Sequence, residues 1–133
     1  AKSIFVNLNL DMLSQPGGRK EVLVSGNLSH AAFNGLIKDI ELASNMPMIA
    51  TDEKRRVGRY PSLADRRKVS DHAAFAEQGI TFLFLGVGRH NYYHTPRDTA
   101  SRVNQSFYGE TVAIAWQYLQ KLDALCAKAD EQT

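Results

Sequence analysis

Short apolar runs alternate along this chain with longer segments of helical period. Polar Asn7 and Asn9 alternate with apolar neighbours in the segment 4–10, which predicts a strand, and a second short strand is predicted over 21–25. The run 80–87 is apolar almost throughout and rich in Phe and Leu. This pattern indicates a strand buried on both faces, and therefore a central and parallel strand.

Apolar residues recur every three or four positions in the segments 30–43 and 104–126, which predicts amphipathic helices. Ser29 and Asn104 are their expected N-caps, and a shorter helix is predicted over 70–78. The last helix is expected to bury one apolar stripe, formed by Phe107, Val112, Ala115, Tyr118, Leu119, Leu122, Leu125 and Cys126. The order of elements predicts an α/β fold, with helices packed on a mostly parallel or mixed central sheet.

The segment 45–69 has no clear period and is rich in Lys and Arg, so it is predicted to be a long basic loop. A solvated surface is the favoured interpretation of this charge. The alternative is one wall of a cleft that attracts an anionic group.

Composition excludes several classes of protein. The chain has 133 residues, 44% of them hydrophobic and 23% charged, which suits one soluble globular domain. No apolar run approaches the roughly 20 residues of a membrane span. The net charge of +2 is too small to suggest nucleic acid as a partner. The single cysteine, Cys126, excludes a disulfide within the chain and a cysteine zinc site.

The chain begins with Ala1 rather than Met, has no recognisable signal peptide, and enters a strand pattern almost at once. We therefore expect it to be a piece of a longer protein.

Three polar segments follow strands or begin a helix, where ligand sites of α/β sheets are found. Asp11 directly follows the first strand; taken alone, a turn-capping role suits it better than metal binding. Ser70 and Asp71 suit a helix start without any function. A protonated His72 is unfavourable in a first helical turn, so this residue is neutral, partnered by a carboxylate, or part of a site.

The third segment, 92–99, follows the most buried strand. Pro96 fixes its backbone, which suits the orientation of the His94 imidazole, and Asp98 is placed to accept the other ring N–H. His90 and His94 have the spacing of a helical zinc pair, but the nearby glycines and proline predict a loop, so this pair is disfavoured.

The motif order resembles a known family. N-x-D-M at 9–12, S-D-H-x-x-F at 70–75, G-I-x-F-L-F at 79–84 and Y-H-T-P-x-D-T at 93–99 are similar to the carboxyl-terminal part of zinc-dependent aminopeptidases of the bacterial leucyl aminopeptidase type. That family also contains glutaminyl cyclases and inactive members. The resemblance implies that residues 1–133 are the C-terminal portion of a single metallopeptidase catalytic domain.

The resemblance also implies the roles of particular residues. Asp11 corresponds to a carboxylate ligand of one zinc ion, and His94 to the imidazole ligand of a second. Five other residues are implied to support these ligands or to face the substrate: Ser70, Asp71, His72, Tyr93 and Asp98. Carboxylate oxygen and imidazole nitrogen are normal zinc ligands.

Two motifs of the family, H-x-D and Glu-Glu, have no counterpart in the chain, so the general base and three ligands are expected upstream. The piece alone is therefore expected to be inactive and to bind zinc weakly or not at all. Its expected partners are a peptide substrate and either the missing N-terminal half or a second copy of the chain. A glutaminyl cyclase-like enzyme and a non-catalytic peptidase-like interaction module are the alternatives. Composition leaves the compartment open, and the family resemblance favours export.

Overall fold

The computed structural model describes residues 4–52 and 70–131. Within these ranges the elements follow in the order β1 (Asn7–Leu10), β2 (Val22–Ser25), α1 (Phe33–Ser44), β3 (Met48–Ala50), α2 (His72–Glu77), β4 (Phe82–Gly86), a 3-10 helix (Ala100–Arg102) and α3 (Gln105–Asp130).

The four strands form one mixed sheet in the order β1-β4-β2-β3, which confirms the predicted α/β class. β4 lies between β1 and β2, as its apolar run predicted. It is parallel to β1, with Asn7 opposite Phe82, but antiparallel to β2, with Val24 opposite Leu85. The chain therefore reverses direction between β1 and β2, within the turn-rich segment 11–21.

The predicted loop at 45–69 contains a strand. β3 occupies residues 48–50 and pairs in parallel with β2, and Val22 N–H also donates to the carbonyl of Pro47 (2.9 Å). Three residues beside a proline are too few to show a period of two, so the pattern gave no signal. The basic part of the predicted loop lies outside the described residues.

Of the two predicted N-caps, the one of α3 is confirmed and the one of α1 is wrong. Asn104 caps α3, and its Oδ1 accepts the N–H of Phe107 (3.0 Å). Ser29 does not cap α1, which begins after Ala32. The Ser29 hydroxyl instead bonds the carbonyls of Gly26 and Phe82 and so ties the loop after β2 to β4.

The sheet is covered on both faces. Leu83 and Leu85 of β4 point into the core formed with α1 and α3, whereas Phe82 and Phe84 point to the opposite side, against α2. The buried side chains that α1 and α3 contribute to this core are Phe33, Leu36, Ile37, Ile40, Phe107, Ile114, Tyr118 and Leu122. The predicted double-sided burial of β4 is confirmed.

The buried stripe of α3 differs from the predicted one. Val112 and Leu119 were expected in the core, but half of each side chain is exposed (51% and 50%). With Tyr108 and Trp116 they form a second row along the helix, here called the exposed apolar row. Cys126 is only partly buried. Within the described ranges, no helix has the length and apolar composition needed to cross a bilayer.

One buried hydroxyl couples stability to pH. Burial, and secondarily the charge of Glu41, raises the pKa of Tyr118 well above its ordinary value of about 10. Above pH 10 the unfolded chain loses this proton while the folded chain keeps it, so the free energy of unfolding falls as pH rises.

We expect Tyr118→Phe to reduce this alkaline loss of stability. At neutral pH the variant should cost about 1 kcal/mol or less, since it removes only a hydrogen bond to Met48 Sδ (3.2 Å). Urea unfolding at neutral pH and above pH 10 measures both effects. Equal alkaline losses in the variant and the natural protein would contradict the coupling.

Candidate functional site

The carboxyl ends of β1 and β4 meet at one edge of the sheet because these strands are parallel. Asp11 follows β1 there, and its N–H donates to the carbonyl of Leu85 on β4 (3.0 Å). The loops beyond both strands also touch: a Cβ at Gly17 would lie 2.5 Å from the carbonyl oxygen of Gly88. Asp11 and the loop that carries His94 therefore leave the sheet from adjacent strands.

Hydrogen bonds join Asp11 to the start of α2. The Ser70 hydroxyl donates to Asp11 Oδ2 (2.9 Å), and Asn9 Nδ2 donates to Ser70 Oγ (2.9 Å). The same Nδ2 lies 3.3 Å from His72 Nδ1. Two side chains of the β1 segment and two of the α2 segment thus form one network, here called the Asn9 network.

Ser70 was predicted to cap the short helix, but α2 begins at His72 and has no side-chain cap. The Ser70 carbonyl accepts Ala73 N–H (2.9 Å), which leaves the hydroxyl for Asp11. Asp71 lies between Ser70 and His72 in sequence, and it is exposed. Of the three residues in the S-D-H motif, the structure brings Ser70 and His72 to the Asn9 network.

His72 is fully buried, with its ring between Phe82 and Phe84 and both ring centroids 4.9 Å away. The two phenylalanines are alternate residues of β4 and therefore share one face of the sheet. This aromatic slot fixes the imidazole plane, so Nδ1 is held beside Asn9.

His94 lies in a loop of successive tight turns. Tyr93 N–H donates to the carbonyl of His90, and Thr95 N–H to that of Tyr92. His94 itself has φ of 55°, a left-handed conformation that is uncommon outside glycine, and its ring stacks on Tyr93 with centroids 3.8 Å apart. The side chain is exposed.

The other contacts of this loop differ from the expected pattern. Asp98 Oδ2 lies 3.6 Å from Nε2 of His90, so the structure pairs this carboxylate with the other histidine of the loop. Arg102 covers the ring of Tyr92 at 3.5 Å and donates from Nε to the carbonyl of Arg97 (2.7 Å). These contacts hold the turn that carries His94.

A cavity of about 520 Å³ opens beside Asp11, between the segment after β1 and the first half of α3. Most of its lining is apolar: Leu10, Met12, Leu13, Val103, Tyr108, Val112 and Ala115, with polar Asp11, Ser14 and Thr111. The candidate site therefore adjoins a space that connects it to the exposed apolar row.

Zinc in proteins takes three or four side-chain ligands. The carboxylate of Asp11 and the imidazole of His94 are suitable donors. However, in residues 4–52 and 70–131 no three His, Cys, Asp or Glu side chains come together to hold a metal ion. The described residues thus fit zinc by chemistry but do not complete a site.

Sequence reasoning missed Asn9 as a member of the site, although it is the first residue of the N-x-D-M motif. Asn9 could have been found from its position: residues two apart in a strand point to the same side, and Asn9 stands two positions before Asp11. Arg102 and His90 also organise the loop without having been predicted to do so.

A sequence profile of Peptidase family M28 matches residues 1–119. The chain belongs to Peptidase family M28. The family is generally zinc-dependent and has, in general, a peptidase role.

None of the curated proteins and none of the solved structures compared with the chain matches it significantly.

Proposed function

We propose that the chain is the C-terminal portion of the catalytic domain of a zinc-dependent aminopeptidase, in which Asp11 and His94 ligate metal. One observation carries the proposal: in an M28 chain, a carboxylate at the end of β1 is held by Ser70, beside the strand that leads to His94. The substrate is a peptide with a free amino terminus.

The contacts of Asp11 suit a ligand. Ser70 occupies Oδ2, so the second carboxylate oxygen is the one for metal. His94 is exposed and its ring plane is set by Tyr93, so an imidazole nitrogen can reach an ion without moving the core. Bound zinc supplies a polarised water and stabilises the developing negative charge on the substrate carbonyl.

The remaining ligands and the general base belong, in this proposal, to a segment that precedes Asp11 in the complete protein. The incomplete donor set of the described residues supports this. Two ligands on different ions hold neither ion well, so the chain by itself is proposed to be inactive.

Two surfaces suit the missing N-terminal half, or alternatively a second copy of the chain. β1 is an edge strand, and Asn7 Oδ1 on it is buried without a hydrogen-bond partner in the described part of the chain. The exposed apolar row of α3 lies beyond the cavity at Asp11. A partner that covers these surfaces would add a strand to the edge of β1 and exclude water from the exposed apolar row. Export remains an implication of the family resemblance.

Zinc content and peptide hydrolysis, measured on the complete protein and on the 133-residue chain, test the proposal. We expect two tightly bound zinc ions in the complete protein, and release of amino-terminal residues that a chelator abolishes. The chain alone should retain less than one zinc ion and show no hydrolysis.

Three outcomes would contradict parts of the proposal. Two tight zinc ions and hydrolysis in the chain alone would refute its incompleteness. Cyclisation of amino-terminal glutamine without hydrolysis would assign a cyclase. A complete protein with neither metal nor turnover would be a non-catalytic interaction module.

A further inference from the structure

One amide group, that of Asn9, donates toward two side chains of the α2 segment. Its Nδ2 lies 2.9 Å from Ser70 Oγ and 3.3 Å from His72 Nδ1. We propose that Asn9 is a positioning residue, which directs the Ser70 hydroxyl toward Asp11 and thereby orients this carboxylate for metal. The inference rests on the proposed ligand role of Asp11.

The donor and acceptor groups of the Asn9 network allow only one direction for its hydrogen bonds. An amide nitrogen has two N–H donors and no acceptor, so Ser70 Oγ must accept from Asn9. The single hydroxyl proton of Ser70 then points elsewhere, and Asp11 Oδ2 at 2.9 Å receives it. Without the Asn9 donor, the hydroxyl is free to rotate away from the carboxylate.

His72 anchors the other end of the network. Its ring is held between Phe82 and Phe84, and its Nδ1 accepts the second N–H of Asn9. A neutral imidazole that accepts at Nδ1 carries its proton on Nε2. The Asn9 contact therefore favours the Nε2–H tautomer of this histidine.

The position of Asn9 on a strand makes this arrangement rigid. Asn9 pairs with Phe84 across β1 and β4, so its backbone is fixed by the sheet. Ser70 lies 61 positions away in sequence, two residues before the start of α2. The amide thus couples α2 to the sheet edge at the place where Asp11 leaves it.

The test uses Asn9→Ala and Asn9→Leu in the complete protein, with Asn34→Ala as the matched control, because it removes an exposed amide of α1 that accepts from Asn27. Asn9→Leu retains side-chain volume, which covers the case in which the alanine variant folds poorly. We expect both Asn9 variants to weaken zinc binding about 10- to 100-fold, with KM nearly unchanged and turnover restored by added zinc. Asn34→Ala should bind zinc as the natural protein does.

Two further measurements separate positioning from general damage. Nitrogen-15 NMR of His72 should show the Nε2–H tautomer in the natural protein and a loss of this preference in the Asn9 variants. Ser70→Ala should weaken zinc binding similarly, and the double variant Asn9→Ala with Ser70→Ala should be no weaker than either single one.

Zinc affinity in the Asn9 variants equal to that of Asn34→Ala would overturn the inference, as would additive losses in the double variant. If Asp11→Ala also leaves zinc binding unchanged, the ligand role of Asp11 fails and the positioning role fails with it. Loss of zinc in Asp11→Ala with unchanged affinity in both Asn9 variants would overturn the role of Asn9 alone.

Discussion

His94→Ala in the complete protein is expected to lower peptide hydrolysis by about 1000-fold while the fold remains intact. The loss corresponds to about 4 kcal/mol of transition-state stabilisation, which is the scale expected when a metal ligand is removed. The imidazole is exposed and stacks on Tyr93 at the surface, so its truncation leaves the core untouched. Steady-state kinetics and thermal unfolding of the variant measure these two expectations, and zinc content shows whether a metal ligand was lost.

Two further variants control for the loop. His94→Asn removes the imidazole with a residue that tolerates a left-handed backbone, so its activity should also be lost and its stability retained. His90→Ala removes the partner of Asp98 in the same loop, and its activity should stay within about tenfold of the natural protein. Unchanged turnover in His94→Ala would remove His94 from the ligand set.

Asp11→Asn is expected to reduce hydrolysis by about 100- to 1000-fold and to lower the zinc content by one ion. The amide can still accept the Ser70 hydroxyl, so the variant changes the ligand charge with little change in shape. Zinc analysis after dialysis, together with kcat and KM at saturating zinc, measures the effect. We expect kcat to fall and KM to change little.

Asp123→Asn is the matched control, because it removes an exposed carboxylate from α3. Its zinc content and turnover should equal those of the natural protein. If Asp11→Asn also retained its full zinc content, the residue would serve only to cap the turn after β1, through its N–H to Leu85 and its bond with Ser70.

Hydrophobic period predicted the elements that are long or strongly apolar. The run around β4 indicated a central strand, and Leu83 and Phe84 do point to opposite covered faces. The antiparallel pairing of β4 with β2 was not predictable, because the direction of a strand depends on how the preceding segment turns. The buried stripe of α3 differs from the predicted one because Val112 is apolar but half exposed.

The candidate site was predictable where residue chemistry and position coincide. Asp11, Ser70 and His94 stand at strand ends or a helix start, and the motif order adds to that signal. The partner of Ser70 was not predictable, since the same residue type suits an N-cap. Asn9 was overlooked because a polar residue in an alternating strand suggests a solvent-facing position, and its contacts come from 61 and 63 positions away.

The pairing of the first strand with the last has a consequence for synthesis on the ribosome. β1 is translated before β4, and Asn7 to Leu10 find these partners only when residues 82–85 have been translated. At about 5–20 residues per second, the edge of β1 that pairs with β4 stays open for several seconds. Chaperones that bind extended apolar segments can act during this interval, and the contacts around Asp11 form only after it ends.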